Sequence, residues 1–149
     1  VPRGPAGSFD KDGIKPPAQI LTLNDEHWIY YGGMNERHYS RGRHLNIGLA
    51  KLPLDRFIGQ AASAKEGIII TKPFTLEGDT LEVNVDAKSG WVKVELLDAA
   101  GDVISGKRTT HVDELRLTPK LKLQKHKGKT VKLKFTLQNA KLYAFQFKN

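Results

Sequence analysis

Cysteine is absent from the 149 residues. Its absence excludes disulfide staples, thiolate metal sites and cysteine nucleophiles, so stability has to come from the packed core. Long apolar runs are missing too: nothing approaches the roughly 20 residues a spanning helix needs, and the chain reads as soluble. Neither an initiating Met nor a charged-then-apolar leader opens the sequence, which points to a chain that begins inside something larger or after processing. There is no Gly-X-Ser-X-Gly elbow and no phosphate-cradling glycine loop. His27 and His111 lie in strand patterns and His126 in a turn, none with a credible nucleophile beside it, so serine and cysteine hydrolase chemistry falls away. No repeat of fixed period and no low-complexity tract is present.

What is there is ordinary in amount and uneven in sign. Hydrophobic content of 39% and charged content of 27% place the chain among globular proteins, and its length suits one well-buried domain with a short additional unit. Twenty-four basic against 16 acidic residues, a net charge of +8, invite a nucleic-acid or anionic-surface partner, so the distribution decides. About half of the basic residues lie from Lys107 onward. There Lys120, Lys122, Lys132 and Lys134 alternate with Leu121, Leu123, Val131, Leu133 and Phe135, as lysines do on the solvent face of a half-buried strand. That solvated-face reading is preferred, and nucleic acid is not the expected partner.

Residues 1–17 hold four of the seven prolines and three glycines, an irregular leading segment with Phe9 and Asp10 as its obvious anchors. Two β-rich runs, 19–23 and 26–31, flank Asn24 and Asp25 and predict a hairpin. A polar loop follows Gly33, a strand returns over 47–52 to end at Pro53, and 54–59 reads as the next extended piece. From about residue 66 short strands are predicted at 68–71, 80–86, 91–98, 103–104, 110–117, 120–124, 131–138 and 141–147. Leu81, Val83 and Val85 oppose Glu82, Asn84 and Asp86, and Val92, Val94 and Leu96 oppose Lys93 and Glu95, the period-two alternation of antiparallel sheet. Glycine-bearing turns fall at 77–79, 88–90, 99–102 and 126–129. The expected fold is all-β: an antiparallel two-layer β-sandwich, jelly-roll-like, over 53–149, preceded by a β-hairpin segment over 1–52.

The front segment carries the most chemistry. His27-Trp28-Ile29-Tyr30-Tyr31-Gly32-Gly33 and Asn46-Ile47-Gly48-Leu49-Ala50 read as a strand pair closing on a loop with Asn35, Glu36, Arg37, His38, Tyr39, Arg41, Arg43 and His44. That inventory suits sugars rather than catalysis. Hydrolysis by paired carboxylates needs two acids facing each other about 5 to 9.5 Å apart across a pocket. Asp10, Asp12, Asp25, Glu26 and Glu36 crowd one short segment with no second block downstream, so no catalytic residue is assigned. Asp10, after a glycine-rich bend, can present its carboxylate to a ligand, although an Asx-turn or cap is its ordinary role. Glu36, His38 and His44 form a mixed, loop-borne metal-ligand set, and 98–102 lacks the third carboxylate that calcium wants, so no metal is assigned. Trp28, Tyr30, Tyr31 and Tyr39 offer flat faces for sugar rings. Strand alternation sends Trp28 and Tyr30 to one face and Tyr31 to the other, so one set belongs to a core; Trp91, opening a strand, reads as packing.

Three pieces together carry a resemblance: Trp28-Ile29-Tyr30-Tyr31-Gly32-Gly33 with His38 after it, the Ile-Gly-Leu-Ala-Lys-Leu-Pro-Leu-Asp-Arg-Phe passage at 47–57, and the closing Asn-Ala-Lys-Leu-Tyr-Ala-Phe-Gln-Phe at 139–147. They look like the C-terminal end of bacterial five-bladed β-propeller glycoside-hydrolase-like proteins of the invertase and arabinanase type. The resemblance implies a propeller-blade-like segment over 1–52 and an appended β-sandwich over 53–149. It implies catalytic acids on earlier blades, hence no activity in this chain alone, no cofactor, and a secreted or periplasmic setting. It also places Asp10, Tyr31, Asn35 and His38 on the substrate side of a central pocket. The implied partners are carbohydrate and the remainder of a propeller or another copy of the chain, not a membrane. Two further readings stand beside this accessory-module expectation: an independent carbohydrate-binding module, and a basic adaptor that binds anionic polymer or nucleic acid.

Overall fold

Alternating apolar and charged residues become antiparallel sheet throughout the computed structural model, which describes residues 1–37, 39–42 and 44–149. The helical element among the described residues is a single 3₁₀ turn, Gln124–His126, and no helix among them is long and apolar enough to cross a membrane. The chain divides into two compact units, Val1–Leu54 and Asp55–Asn149.

The first unit is one sheet built on β3 (Glu26–Met34). Strand β4 (Leu45–Pro53) pairs with β3 from end to end, Glu26 opposite Pro53 and Met34 opposite Leu45. Two short strands share the other edge of β3: β1 (Gly13–Lys15) against residues 32–34 and β2 (Leu21–Leu23) against 26–28. Pro16 and Pro17 lie between those two strands, and proline has no N–H to give a ladder, which accounts for the break. The predicted hairpin forms with Asn24 and Asp25 both at positive φ (49° and 64°), the two-residue turn that matches strand twist and that Asn and Asp tolerate.

The second unit holds β5 (Gln60–Ala62), β6 (Gly67–Ile70), β7 (Phe74–Thr75), β8 (Thr80–Asp86), β9 (Trp91–Leu97), β10 (Val103–Thr110), β11 (Asp113–Leu117), β12 (Thr130–Gln138) and β13 (Ala140–Lys148). One sheet runs β10-β9-β12-β6, with β7 on the same strand β12, and the other runs β11-β8-β13-β5. Taking β6 and β7 as one interrupted strand and numbering the eight from β5, the orders are 2-7-4-5 and 1-8-3-6, the two Greek keys of a jelly roll. Pro73 interrupts β6 and β7, and Thr71 bridges the gap by accepting the Leu133 N–H on its hydroxyl at 3.0 Å.

The core lies between these two sheets. Leu81, Val83 and Val85 of β8 and Leu142 of β13 meet Val92, Val94 and Leu96 of β9 and Val131, Leu133, Phe135 and Leu137 of β12. Burying each such side chain contributes on the order of 1.5–3 kcal/mol, which is how a cysteine-free unit holds together. Leu76 and Leu123 close the core from connecting segments.

Four predicted elements differ. The strand expected over 103–104 runs on to Thr110 as the hairpin partner of β9. The strand expected over 110–117 is split by His111, which sits in a turn at φ 53° rather than in a strand. Residues 120–124 form no strand: Leu121 and Leu123 turn inward as an alternating run requires, but the Lys122 N–H donates to Ser105 Oγ at 2.9 Å instead of joining a ladder. The extended piece expected at 54–59 is a turn with Asp55 at φ 55°.

Candidate functional site

In the first unit the odd-numbered face of β3 is covered by the leading segment. Asp10 is 5% exposed, and each of its carboxylate oxygens accepts a hydrogen bond from a hydroxyl: Ser8 Oγ donates to Oδ1 at 2.7 Å and Tyr31 OH to Oδ2 at 2.8 Å. The Ser8 bond first, then the Tyr31 bond, hold the Asp10 carboxyl below the usual carboxylate range, helped by the backbone N–H groups of Gly4 and Asp10 and opposed by burial. Donation to Asp10 in turn raises the Tyr31 phenol above its ordinary value, with burial acting the same way. An ionised carboxylate so fully engaged has no proton to give at neutral pH. It is built as a pin that orients Tyr31, not as a general acid.

Glycines make room for this cluster. Phe9 stacks on Tyr31 with ring centroids 6.2 Å apart, and it lies over Gly33, where a Cβ would enter the Phe9 ring. Gly48 is the β4 partner of Tyr31, and a Cβ there would enter the phenol ring. A glycine paired with a large residue across a ladder marks a ring lying over the neighbouring strand. That pairing was the available signal for the cluster, and it needs the strand register to be seen. Phe9 stood out with Asp10 as an anchor of the leading segment, whereas Ser8 gave no separate signal.

Asn35, a further expected residue, has a different partner. Asn35 Oδ1 accepts the His44 backbone N–H at 3.3 Å, tying the two ends of the loop after β3. His38 and Arg43 lie outside the described residues, so the Glu36, His38 and His44 set does too. Among the described residues no group of three His, Cys, Asp or Glu could hold a metal ion. At residues 98–102, Asp98 Oδ1 accepts the N–H groups of Gly101 and Asp102, both at 2.9 Å, so this turn spends its carboxylate on itself.

The even-numbered face of the same sheet is open over most of its length, with Met34 at the end of β3 buried. Leu21 and Leu23 of β2, Tyr30 of β3, and Leu45, Ile47 and Leu49 of β4 share it by register and are all exposed, Ile47 to 82%. Trp28 and Tyr30 sit side by side on it, ring centroids 6.5 Å apart, with the Lys51 ammonium 3.9 Å over the Trp28 ring and Trp28 Nε1 donating to Glu26 at 3.0 Å.

In the second unit several charges on and beside the strands are paired. Arg56 lies 2.6 Å from Asp113 and donates from Nε to Asn84 at 2.9 Å, while Lys88 reaches the other Asp113 oxygen at 2.5 Å. Lys88 first and Arg56 second hold the Asp113 carboxyl low. Burial acts to raise the Glu95 carboxyl, but Lys93 at 2.5 Å and Lys134 at 3.5 Å outweigh it and keep it low as well. Trp91, nearly buried, donates to Gln138 at 2.7 Å under the Arg108 guanidinium, in keeping with a packing role.

No protein-family model matches this chain, and neither the curated proteins nor the solved structures contain a significant match to it. A jelly roll hosts many unrelated activities, so function has to be argued from these surfaces.

Proposed function

We propose that this chain is a non-catalytic β-sandwich module of a carbohydrate-active, glycoside-hydrolase-like protein. In this reading the jelly roll supports a propeller, and the front sheet belongs to that propeller as blade structure. The observation that carries the reading is the exposed apolar face of Leu21, Leu23, Tyr30, Leu45, Ile47 and Leu49. Contiguous apolar patches on this scale mark interaction surfaces, and blades of a propeller cover one another with such faces. The full engagement of the Asp10 carboxylate agrees with a chain that carries no reacting acid of its own.

The test is the behaviour of the chain by itself. Sedimentation and dye binding should reveal self-association or an exposed apolar surface, and Ile47→Lys with Leu49→Lys should remove both while leaving the circular dichroism unchanged. A wild-type chain that stays monomeric at high concentration and binds no dye would defeat this reading. The adjacent Trp28 and Tyr30 rings favour a second reading, an independent carbohydrate-binding module with these two as its platform. Retardation in neutral-glycan affinity gels that disappears in Tyr30→Ala would select it.

A further inference from the structure

We infer that residues 118–130 form a rigid basic ridge that docks an acidic polysaccharide, one whose charge is carried by carboxylate or sulfate groups along a sugar chain. This rests on the carbohydrate reading above for the class of polymer and on the ridge itself for its charge.

The ridge is anchored from beneath. Pro119 and Leu123 are buried and Leu121 packs on the core. The backbone is held at both ends: Lys122 N–H donates to Ser105 Oγ at 2.9 Å, Gly128 N–H to the Leu76 carbonyl at 2.8 Å, and Leu76 N–H to the Lys129 carbonyl at 3.0 Å. Between these anchors Lys120, Lys122, Lys125, Lys127 and Lys129 all point to solvent, with His126 half-buried among them. No acidic residue occurs from 118 to 130. Asp79 and Asp98 lie in flanking recesses beside the ridge, yet among the described residues no carboxylate is within ion-pair distance of any of these five lysines.

Lys88, Lys93, Lys134 and Lys148 each have a carboxylate partner, and Lys107, Lys132 and Lys141 stand on strands without an ion pair among the described residues; the ridge differs in gathering five unpaired lysines within residues 120–129. Charge left unbalanced on an ordered backbone attracts a polyanion at little ordering cost. The ridge has no arginine and no Phe, Tyr or Trp. Nucleic-acid surfaces draw on arginine forks and on rings that stack bases, whereas ammonium groups meet spaced carboxylates or sulfates as point charges.

The experiment measures binding of the whole chain to polygalacturonate, to its methyl-esterified form and to duplex DNA, at low and at physiological salt. Two charge-matched variants are compared, the ridge set Lys122→Gln, Lys125→Gln, Lys127→Gln and Lys129→Gln, and a control set Lys15→Gln, Lys65→Gln, Lys72→Gln and Lys107→Gln. The ridge variant should lose about tenfold or more of the polygalacturonate affinity and the control variant less than about threefold, with salt weakening the wild type. The esterified polymer should not bind. Equal losses in the two variants, tighter binding of DNA than of polygalacturonate, or no polygalacturonate binding at low salt would each overturn the inference. The readout does not involve the Ile47 face, so failure here is distinct from failure of the module reading.

Discussion

The Tyr31 hydroxyl donates a hydrogen bond to Asp10 across 2.8 Å and 21 positions of sequence, and that bond fastens the proline-rich leader to the central strand of the front sheet. The leader has a short strand of its own only at β1, so its fixed course over β3 depends on this contact and on Phe9 lying over Gly33.

Stability should respond to pH at both ends of this bond. The Asp10 carboxyl is lower in the folded chain, so its contribution is present above the unfolded value near 3.8 and is lost as pH falls through the folded one. The Tyr31 phenol is raised, so its contribution is present below the unfolded value near 10.0 and is lost as pH rises through the folded one. Thermal melts from pH 7 downward should show an acid limb that is shallower in Asp10→Asn. An identical limb in the variant would assign the acid sensitivity to Glu82, Glu95 and Asp113, whose carboxyls are also held low.

Gly33→Ala and Gly48→Ala should each destabilise by about 1–3 kcal/mol, because the new methyl meets the Phe9 ring in one case and the Tyr31 ring in the other. Urea denaturation followed by tyrosine fluorescence reports it. A neutral result at both positions would mean that the rings are not held where the cluster puts them.

The sandwich offers a paired test on adjacent residues. Ile69 packs on the core while Ile70 is exposed on the other side of the same strand. Ile69→Ala should cost about 2–4 kcal/mol by cavity formation and Ile70→Ala no more than about 0.5 kcal/mol. Reversal of that order by chemical denaturation would mean that β6 pairs with β12 one residue out of register.

Arg56→Ala removes the cation 2.6 Å from Asp113 and the donor to Asn84, with expected destabilisation of about 1–3 kcal/mol. Arg56→Lys should recover only part of this, since an ammonium cannot reach both groups as a guanidinium fork does. Equal stability of the lysine variant and wild type would reduce the contact to simple charge pairing.

Strands with strict alternation were readable from residues alone. Leu81, Val83 and Val85 in β8 and Val92, Val94 and Leu96 in β9 face the core as their spacing requires, and Asn24 with Asp25 turns the front hairpin. The same rule over-reads Lys120 to Leu123, because alternation reports which side is buried and not whether a neighbouring strand is there to pair with. His111 escaped for a related reason: a positive φ at a non-glycine residue leaves little trace in composition. In the candidate site, Asp10 and Tyr31 were each visible as chemistry, but the bond between them was not.

The sequence by itself determined that this chain is all-β, cysteine-free and basic, since period-two patterning, turn residues and charge are local properties. Only the tertiary structure decided which β-strands share an edge, that Gly48 lies under Tyr31, that Asp10 is spent on two hydroxyls, and that five lysines of 120–129 gather on one ridge. Those outcomes depend on register and on contacts between residues far apart in the chain, whose free energies exist only once the backbone has closed the loops between them.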